Sequence, residues 1–160
     1  MNIFSQHFKK IKSNIRCIFY TALALSALAW CSFSPAGSEL EITFQGLKTQ
    51  KGTIRLAVYD SEKVFMDESQ ARLVNVPISG VPTFSYNLNG LAPGKYALAF
   101  FQDENDNFKL DKNLLGIPTE PYGFSKTPES KWRVPDFEEI AVKIEPDKNR
   151  IAVQLKKWQL

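Results

Sequence analysis

The chain has 160 residues, with 20 Lys or Arg, 17 Asp or Glu, one His and two Cys, for a formal net charge of +3. Four basic residues and no acidic one lie in the first 36 positions, so the 124 residues beyond carry 16 basic against 17 acidic groups, a net charge of −1. That balance leaves no cationic block to neutralise a run of phosphates, which excludes nucleic acid. The loss of every His and Cys beyond position 36 excludes a Ser-His-Asp triad, a Cys nucleophile and an ordinary zinc site.

Lys9, Lys10, Lys12 and Arg16 form a positive head, followed by an uncharged stretch from Cys17 to Ser38 with the core "CIFYTALALSALA". A basic head, an apolar run and small residues after it read as a secretory signal peptide. Cleavage after Ala36 or after Ala29 fits the small-residue rule, and Ala36 is preferred because strand-like sequence starts almost at once behind it. An uncleaved anchor and a lipoprotein processed at Cys31 are the competing readings, the second opposed by bulky Trp30. The expectation is a domain of residues 37–160, periplasmic or secreted, with no membrane span once the signal is gone. It has no disulfide, because Cys17 and Cys31 leave with His7. Its length suffices to bury a core without staples.

Beyond the signal, apolar residues recur with period two, the strand signal. Leu40, Ile42 and Phe44 alternate with Glu41 and Thr43. Ile54, Leu56 and Val58 follow the Lys51-Gly52 turn, then Val74, Val76 and Ile78, then Phe84, Tyr86 and Leu88. Tyr96, Leu98 and Phe100 alternate with Ala97, Ala99 and Phe101, which makes this strand central and covered on both faces. Ile140, Val142 and Ile144 precede Ile151, Val153 and Leu155, with "EPDKN" between them as a hairpin connection. The segment "SEKVFMDESQ" (61–70) lacks this alternation and suits one helical turn. About seven strands with Gly, Pro and Asn punctuation predict an all-β fold, an antiparallel β-sandwich of prealbumin or immunoglobulin type with one long irregular loop.

That loop runs from Asp103 to about Pro135. Connections of such length are functional or disordered, and its aromatic residues Phe108, Tyr122, Phe124 and Trp132 argue against disorder. It opens on "DENDNFKLD". Asp103, Asn105, Asn107 and Asp111, with the carbonyl of Lys109, follow the spacing by which a loop wraps calcium, and Glu104 and Asp106 are expected to point outward. Phe108 stands where such a loop turns on Gly, and Leu114 stands where it ends on a bidentate Glu. The loop is therefore read first as a polar turn closed by its own Asn and Asp side chains, and second as a weak calcium site. No cofactor is required. Further on, "GIPTEPYGFS" sets Glu120 between two prolines beside Tyr122 and Phe124. These three are read as a ligand site of aromatic walls around one carboxylate, or as aromatics pinning the loop to the sandwich together with Trp132 and Phe137. Arg55, Arg72 and Arg133 are read as solvated or paired surface residues.

"LAPGKYALAFFQDENDN" is similar to the strand entry of transthyretin-like β-sandwiches. More closely, "DENDNFKLD…LLGIP…EPYGFS…PDFEEIAVKI" resembles a family of exported bacterial proteins known as domain of unknown function 2141. The resemblance spans Glu39 to Lys156 and implies an exported β-sandwich without an assigned activity. Family members usually have His before the first Asp and Gly where Phe108 stands, and Asn is common where Lys126 stands, whereas this chain has Gln102, Phe108 and Lys126. The functional expectation is a non-enzymatic exported domain that binds a small molecule, glycan or envelope protein through the 103–135 loop. The alternative is a structural envelope module with that loop as a packed lid.

Overall fold

Leu40, Ile42 and Phe44 are wholly buried along β1 (Ser38–Gln45), while Glu39, Glu41 and Thr43 between them stay half-buried. This is the outcome when alternate side chains of a strand face a core. The arrangement is that of a computed structural model, which describes residues 37–47, 49–130 and 132–157. The reading of residues 1–36 as a signal, with His7, Cys17 and Cys31, lies outside these residues. Residues Ala36–Leu160 form one compact unit.

The elements continue as β2 (Thr53–Tyr59), a 3-10 turn (Glu62–Val64), β3 (Arg72–Pro77), β4 (Thr83–Leu91), β5 (Gly94–Asp103), β6 (Tyr122–Phe124), α1 (Phe137–Ile140), β7 (Val142–Ile144) and β8 (Lys148–Gln154). They make two sheets, one ordered β4-β1-β8 and the other β3-β2-β5-β6, with β7 pairing the start of β5. The main core lies between them, formed by Leu40, Ile42 and Phe44 of the first sheet and Ile54, Leu56, Leu98 and Phe100 of the second. Phe44 makes an edge-on contact with Phe100, ring centroids 5.4 Å apart. This is the expected β-sandwich, and the two apolar clusters of the unit are built entirely from its own residues.

β5 is central and covered on both faces, as its double alternation predicts. Leu98 and Phe100 enter the main core, while Ala97 and Ala99, on the opposite face, join a second cluster with Tyr59, Phe137 and Ile140. Small residues at 97 and 99 leave room for α1 to lie against the sheet.

Three connections differ from the expectation. β8 pairs β1 in parallel, whereas all the other ladders are antiparallel. The "EPDKN" segment is not a hairpin, because β7 joins β5 in one sheet and β8 joins β1 in the other. Ile140 does not open a strand. It closes α1, whose first turn is held by Glu139 accepting the Asp136 N–H at 3.3 Å. The expected helical turn within 61–70 is present as the 3-10 turn.

The long connection contributes one unexpected strand. β6 pairs Tyr122–Phe124 with Ala99–Phe101 of β5, and Tyr122 also exchanges two backbone hydrogen bonds with Lys156, at 3.1 and 2.9 Å. It thereby ties the second sheet to the segment just past β8. Gly123 makes this possible. A Cβ there would lie 2.6 Å from the Gln154 carbonyl oxygen and 2.7 Å from the Phe100 ring.

Candidate functional site

The long connection divides into two parts with different chemistry. In the first, β5 ends on Asp103, which is wholly buried. Its Oδ2 accepts hydrogen bonds from Arg55 Nε and the Phe108 N–H, both at 2.9 Å, and its Oδ1 accepts the Asn107 N–H at 3.0 Å. Burial by itself raises the pKa of Asp103. The hydrogen bond from Arg55 and those from the Phe108 and Asn107 backbone outweigh it, so the net shift is downward. The Arg55 side chain is only 12% exposed, so it is not the surface residue expected. Arg72 donates to the Asn89 carbonyl at 2.9 Å. The Arg55 guanidinium carbon lies 3.8 Å from the centre of the Phe108 ring, a cation–π contact. Phe108 reaches this position with φ at +66°, backbone territory that favours glycine.

The rest of the acidic stretch closes on itself. Asn105 Oδ1 accepts the Asn107 N–H, and Asn107 Oδ1 accepts the Lys109 N–H. The Asp111 carboxylate accepts the side-chain amides of Asn105 and Asn107 at 2.8 and 2.9 Å. Asp106 is mostly exposed, as expected, and accepts the Thr53 hydroxyl. Glu104, expected outward, is half-buried.

Asp103, Asn105, Asn107 and Asp111 are thus gathered as their spacing predicts, but as mutual hydrogen-bond partners. In this arrangement the Arg55 guanidinium stands as the cation beside Asp103. Among the described residues no three His, Cys, Asp or Glu side chains converge on a metal position.

Glu120 belongs to this structural part. It is 4% exposed, and its two carboxylate oxygens accept the backbone N–H groups of Glu104 (2.8 Å) and Asp111 (3.0 Å). The structure thus places the Glu120 carboxylate against the loop backbone, and the residue is not among those that line the groove with Tyr122 and Phe124. Both its oxygens are spent on holding the two ends of the acidic loop. Gln102, at the position before Asp103, is likewise buried, with its amide donating to Thr49 and to the Lys51 carbonyl.

The second part stands off the sandwich. Between β6, the end of β8 and residues 126–135 lies an open groove of about 590 Å³. Tyr122 and Phe124 line it, half-buried and edge-on to one another at 6.2 Å, so these two residues are brought together as expected. Met66, Leu110, Ile117 and Val153 add apolar surface. Trp132, expected to pin the loop, is 72% exposed on the groove instead, whereas Phe137 is buried in the second cluster.

Among the described residues the charged members of the lining are Lys112, Lys126, Arg133 and Lys156, with no Asp or Glu. Arg133 is paired with Glu139 at 2.9 Å, but among the described residues the three lysines make no ion pair. Glu139 also accepts the Glu129 N–H at 2.6 Å, which fixes the outer wall by two points. These hydrogen bonds, the Glu129 N–H first, outweigh the cost of desolvation and lower its pKa. No motif announced this group. Its lysines lie at 112, 126 and 156, and only the pairing of Tyr122 with both β5 and Lys156 collects them.

The architecture is a two-sheet β-sandwich with a basic, aromatic-walled groove at one sheet edge. The family model described as "Uncharacterized protein conserved in bacteria (DUF2141)" matches residues 42–152, and the chain belongs to that family. No match is found among the curated proteins or among the solved structures.

Proposed function

We propose that this protein is an exported, non-enzymatic binding domain whose groove takes an anionic small molecule with an apolar body. The carrying observation is the coincidence of three lysines, without an ion pair among the described residues, with an aromatic and aliphatic lining whose described residues include no carboxylate. Pockets with apolar walls and a few convergent charges suit ligands that are apolar along their length and charged at one end. A neutral glycan is a poorer fit, since the one carboxylate expected to meet its hydroxyls, Glu120, faces the loop. Export is supported by the basic head and apolar run of residues 1–36, and the absence of His and Cys beyond them supports a binding rather than a catalytic role.

The test is calorimetric titration of the 37–160 domain with dodecanoate and with dodecylamine, which share a tail and differ in charge. Dodecanoate is expected to bind at least about tenfold more tightly, since an exposed opposite charge contributes about 1 kcal/mol at contact distance and three lysines act together. The Lys126→Glu/Lys156→Glu pair is expected to remove that preference. Equal binding of the two, or none, overturns the reading.

A second reading, a structural module without a ligand, is favoured by the first part of the loop, where Asp103 and Glu120 serve packing alone. It predicts that neither amphiphile binds.

A further inference from the structure

Residues 111–119 form a small hairpin that projects from the acidic loop. Its stem is closed by the Thr119 N–H to the Asp111 carbonyl at 2.8 Å and by the Lys112–Pro118 bridge. Its tip is fixed by Asn113, whose side-chain oxygen accepts the N–H groups of Leu115 and Ile117 at 2.9 and 3.1 Å. Gly116 at the tip has φ +76° and nothing within 4 Å of where a Cβ would be, so the tip stands in open space. On it, Leu114 is 106% exposed and Leu115 80% exposed. Neither residue lines the groove or joins a cluster. A turn held this firmly presents two leucines to solvent in a fixed position, which has a cost in water unless something covers them.

The shape of the feature selects what covers it. A protein partner of standard interface size needs roughly 800 Å² of complementary surface on each side, and a two-residue tip offers no such face. A bilayer needs no complementary surface, because projecting apolar side chains enter the headgroup and acyl boundary by themselves. Of the two charged residues in the hairpin stem, Asp111 turns its carboxylate to the Asn105 and Asn107 amides of the acidic loop, and Lys112 makes no ion pair among the described residues. Lys112 lies in the stem of this hairpin, and with Lys126 and Lys156 it belongs to the groove lining, which among the described residues carries no acidic group. Trp132, 72% exposed on the same groove, is a residue type that settles at the membrane–water interface.

We propose that the domain docks on an anionic lipid surface by inserting Leu114 and Leu115, with the neighbouring lysines against the headgroups. This goes beyond the groove ligand and does not depend on it. The measurement is flotation of the 37–160 domain, which carries both apolar clusters, with vesicles of phosphatidylethanolamine and phosphatidylglycerol and with vesicles of phosphatidylcholine alone.

The domain is expected to float with the anionic vesicles, less so as salt is raised, and weakly with phosphatidylcholine. Leu114→Ser/Leu115→Ser is expected to lower the bound fraction at least about tenfold, the loss implied by withdrawing two leucines from an apolar phase. Because both side chains are exposed, its melting temperature and its dodecanoate binding should match the parent. Lys112→Glu is expected to lower binding to anionic vesicles only. Failure of the parent to float overturns the proposal, and so does equal flotation of the serine pair. Capture of a protein partner that the serine pair alone loses, with no flotation by the parent, overturns it in favour of a protein-docking tip.

Discussion

Arg55 and Asp103 meet at 2.9 Å, one on β2 and the other at the last position of β5, with the carboxylate wholly buried. The pair converts the end of a central strand into the anchor of the acidic loop, because the same carboxylate receives the Asn107 and Phe108 N–H groups. Removing Asp103 leaves the Phe108 N–H without its acceptor, the Asn107 N–H with only its longer bond to Asn105, and the Arg55 guanidinium with only the exposed Asp106 at 3.5 Å. Asp103→Ala is expected to destabilise by about 3 kcal/mol, the order found when one partner of a buried pair is deleted. Urea unfolding checks this, and Arg55→Met/Asp103→Ala should lose less than the sum of the single changes. Millimolar calcium should not move the parent's melting temperature. A calcium-dependent rise lost in Asp103→Ala would show that the loop opens to hold the ion.

The same carboxylate sets an acid limit. Its pKa is lower folded than unfolded, so its contribution to stability is fully present above the unfolded value, about 3.9, and is lost as pH falls through the depressed folded value. Between pH 7 and 5 this group should leave stability unchanged. Below about pH 4 the parent should lose stability more steeply than Asp103→Asn, measured by melting temperature against pH.

Phe108 carries two opposed terms. Its positive φ costs roughly 1–2 kcal/mol in a residue with a Cβ, and its stacking on Arg55 returns about 0.5–1 kcal/mol. Phe108→Gly removes both and should change stability by less than about 1 kcal/mol. Phe108→Ala keeps the strain and loses the stack, so it should be the less stable of the two variants. A glycine variant that unfolds more readily than the alanine variant would mean that the backbone there is not strained.

Glu120 is the second anchor, joining Glu104 to Asp111 through their N–H groups. Glu120→Gln replaces one accepting oxygen by a donor and leaves one buried N–H facing it. The expected loss is about 2 kcal/mol, with dodecanoate affinity unchanged because Glu120 does not line the groove. Loss of affinity at unchanged stability would return Glu120 to the ligand site.

How far the sequence disclosed this arrangement depends on the distance over which each signal acts. Alternation is local, and it revealed seven of the eight described strands, including the two covered faces of β5, while the three-residue β6 is too short to show it. Strand direction leaves no mark on alternation, so the parallel β1–β8 ladder could not be read. Turn composition at "EPDKN" signals a reversal but not whether the next strand stays in the same sheet. Asp136 and Glu139 carry the spacing of a helix start, and that signal could have replaced the strand expected at Ile140. The closure of the acidic loop followed from its own Asn and Asp residues. Its dependence on Arg55, 48 positions earlier, did not, and neither did the gathering of Lys112, Lys126 and Lys156.

Phe124 and Trp132 both line the groove and differ in burial. Phe124 is half-buried, packs against the second cluster and meets the Tyr122 ring. Trp132 is largely exposed on the far wall. Phe124→Ala should therefore cost about 2–3 kcal/mol, somewhat below a full core truncation because part of the ring is already in water. Trp132→Ala should cost less than Phe124→Ala because more of its ring is already in water, yet weaken dodecanoate by removing apolar wall. Urea unfolding gives the first pair of values and calorimetry the second. If Trp132→Ala destabilises as much as Phe124→Ala, residues 126–135 are a packed lid and the groove is closed in solution. If neither variant alters ligand binding, the apolar body of the ligand does not lie against β6, and the lysines alone are left to account for it.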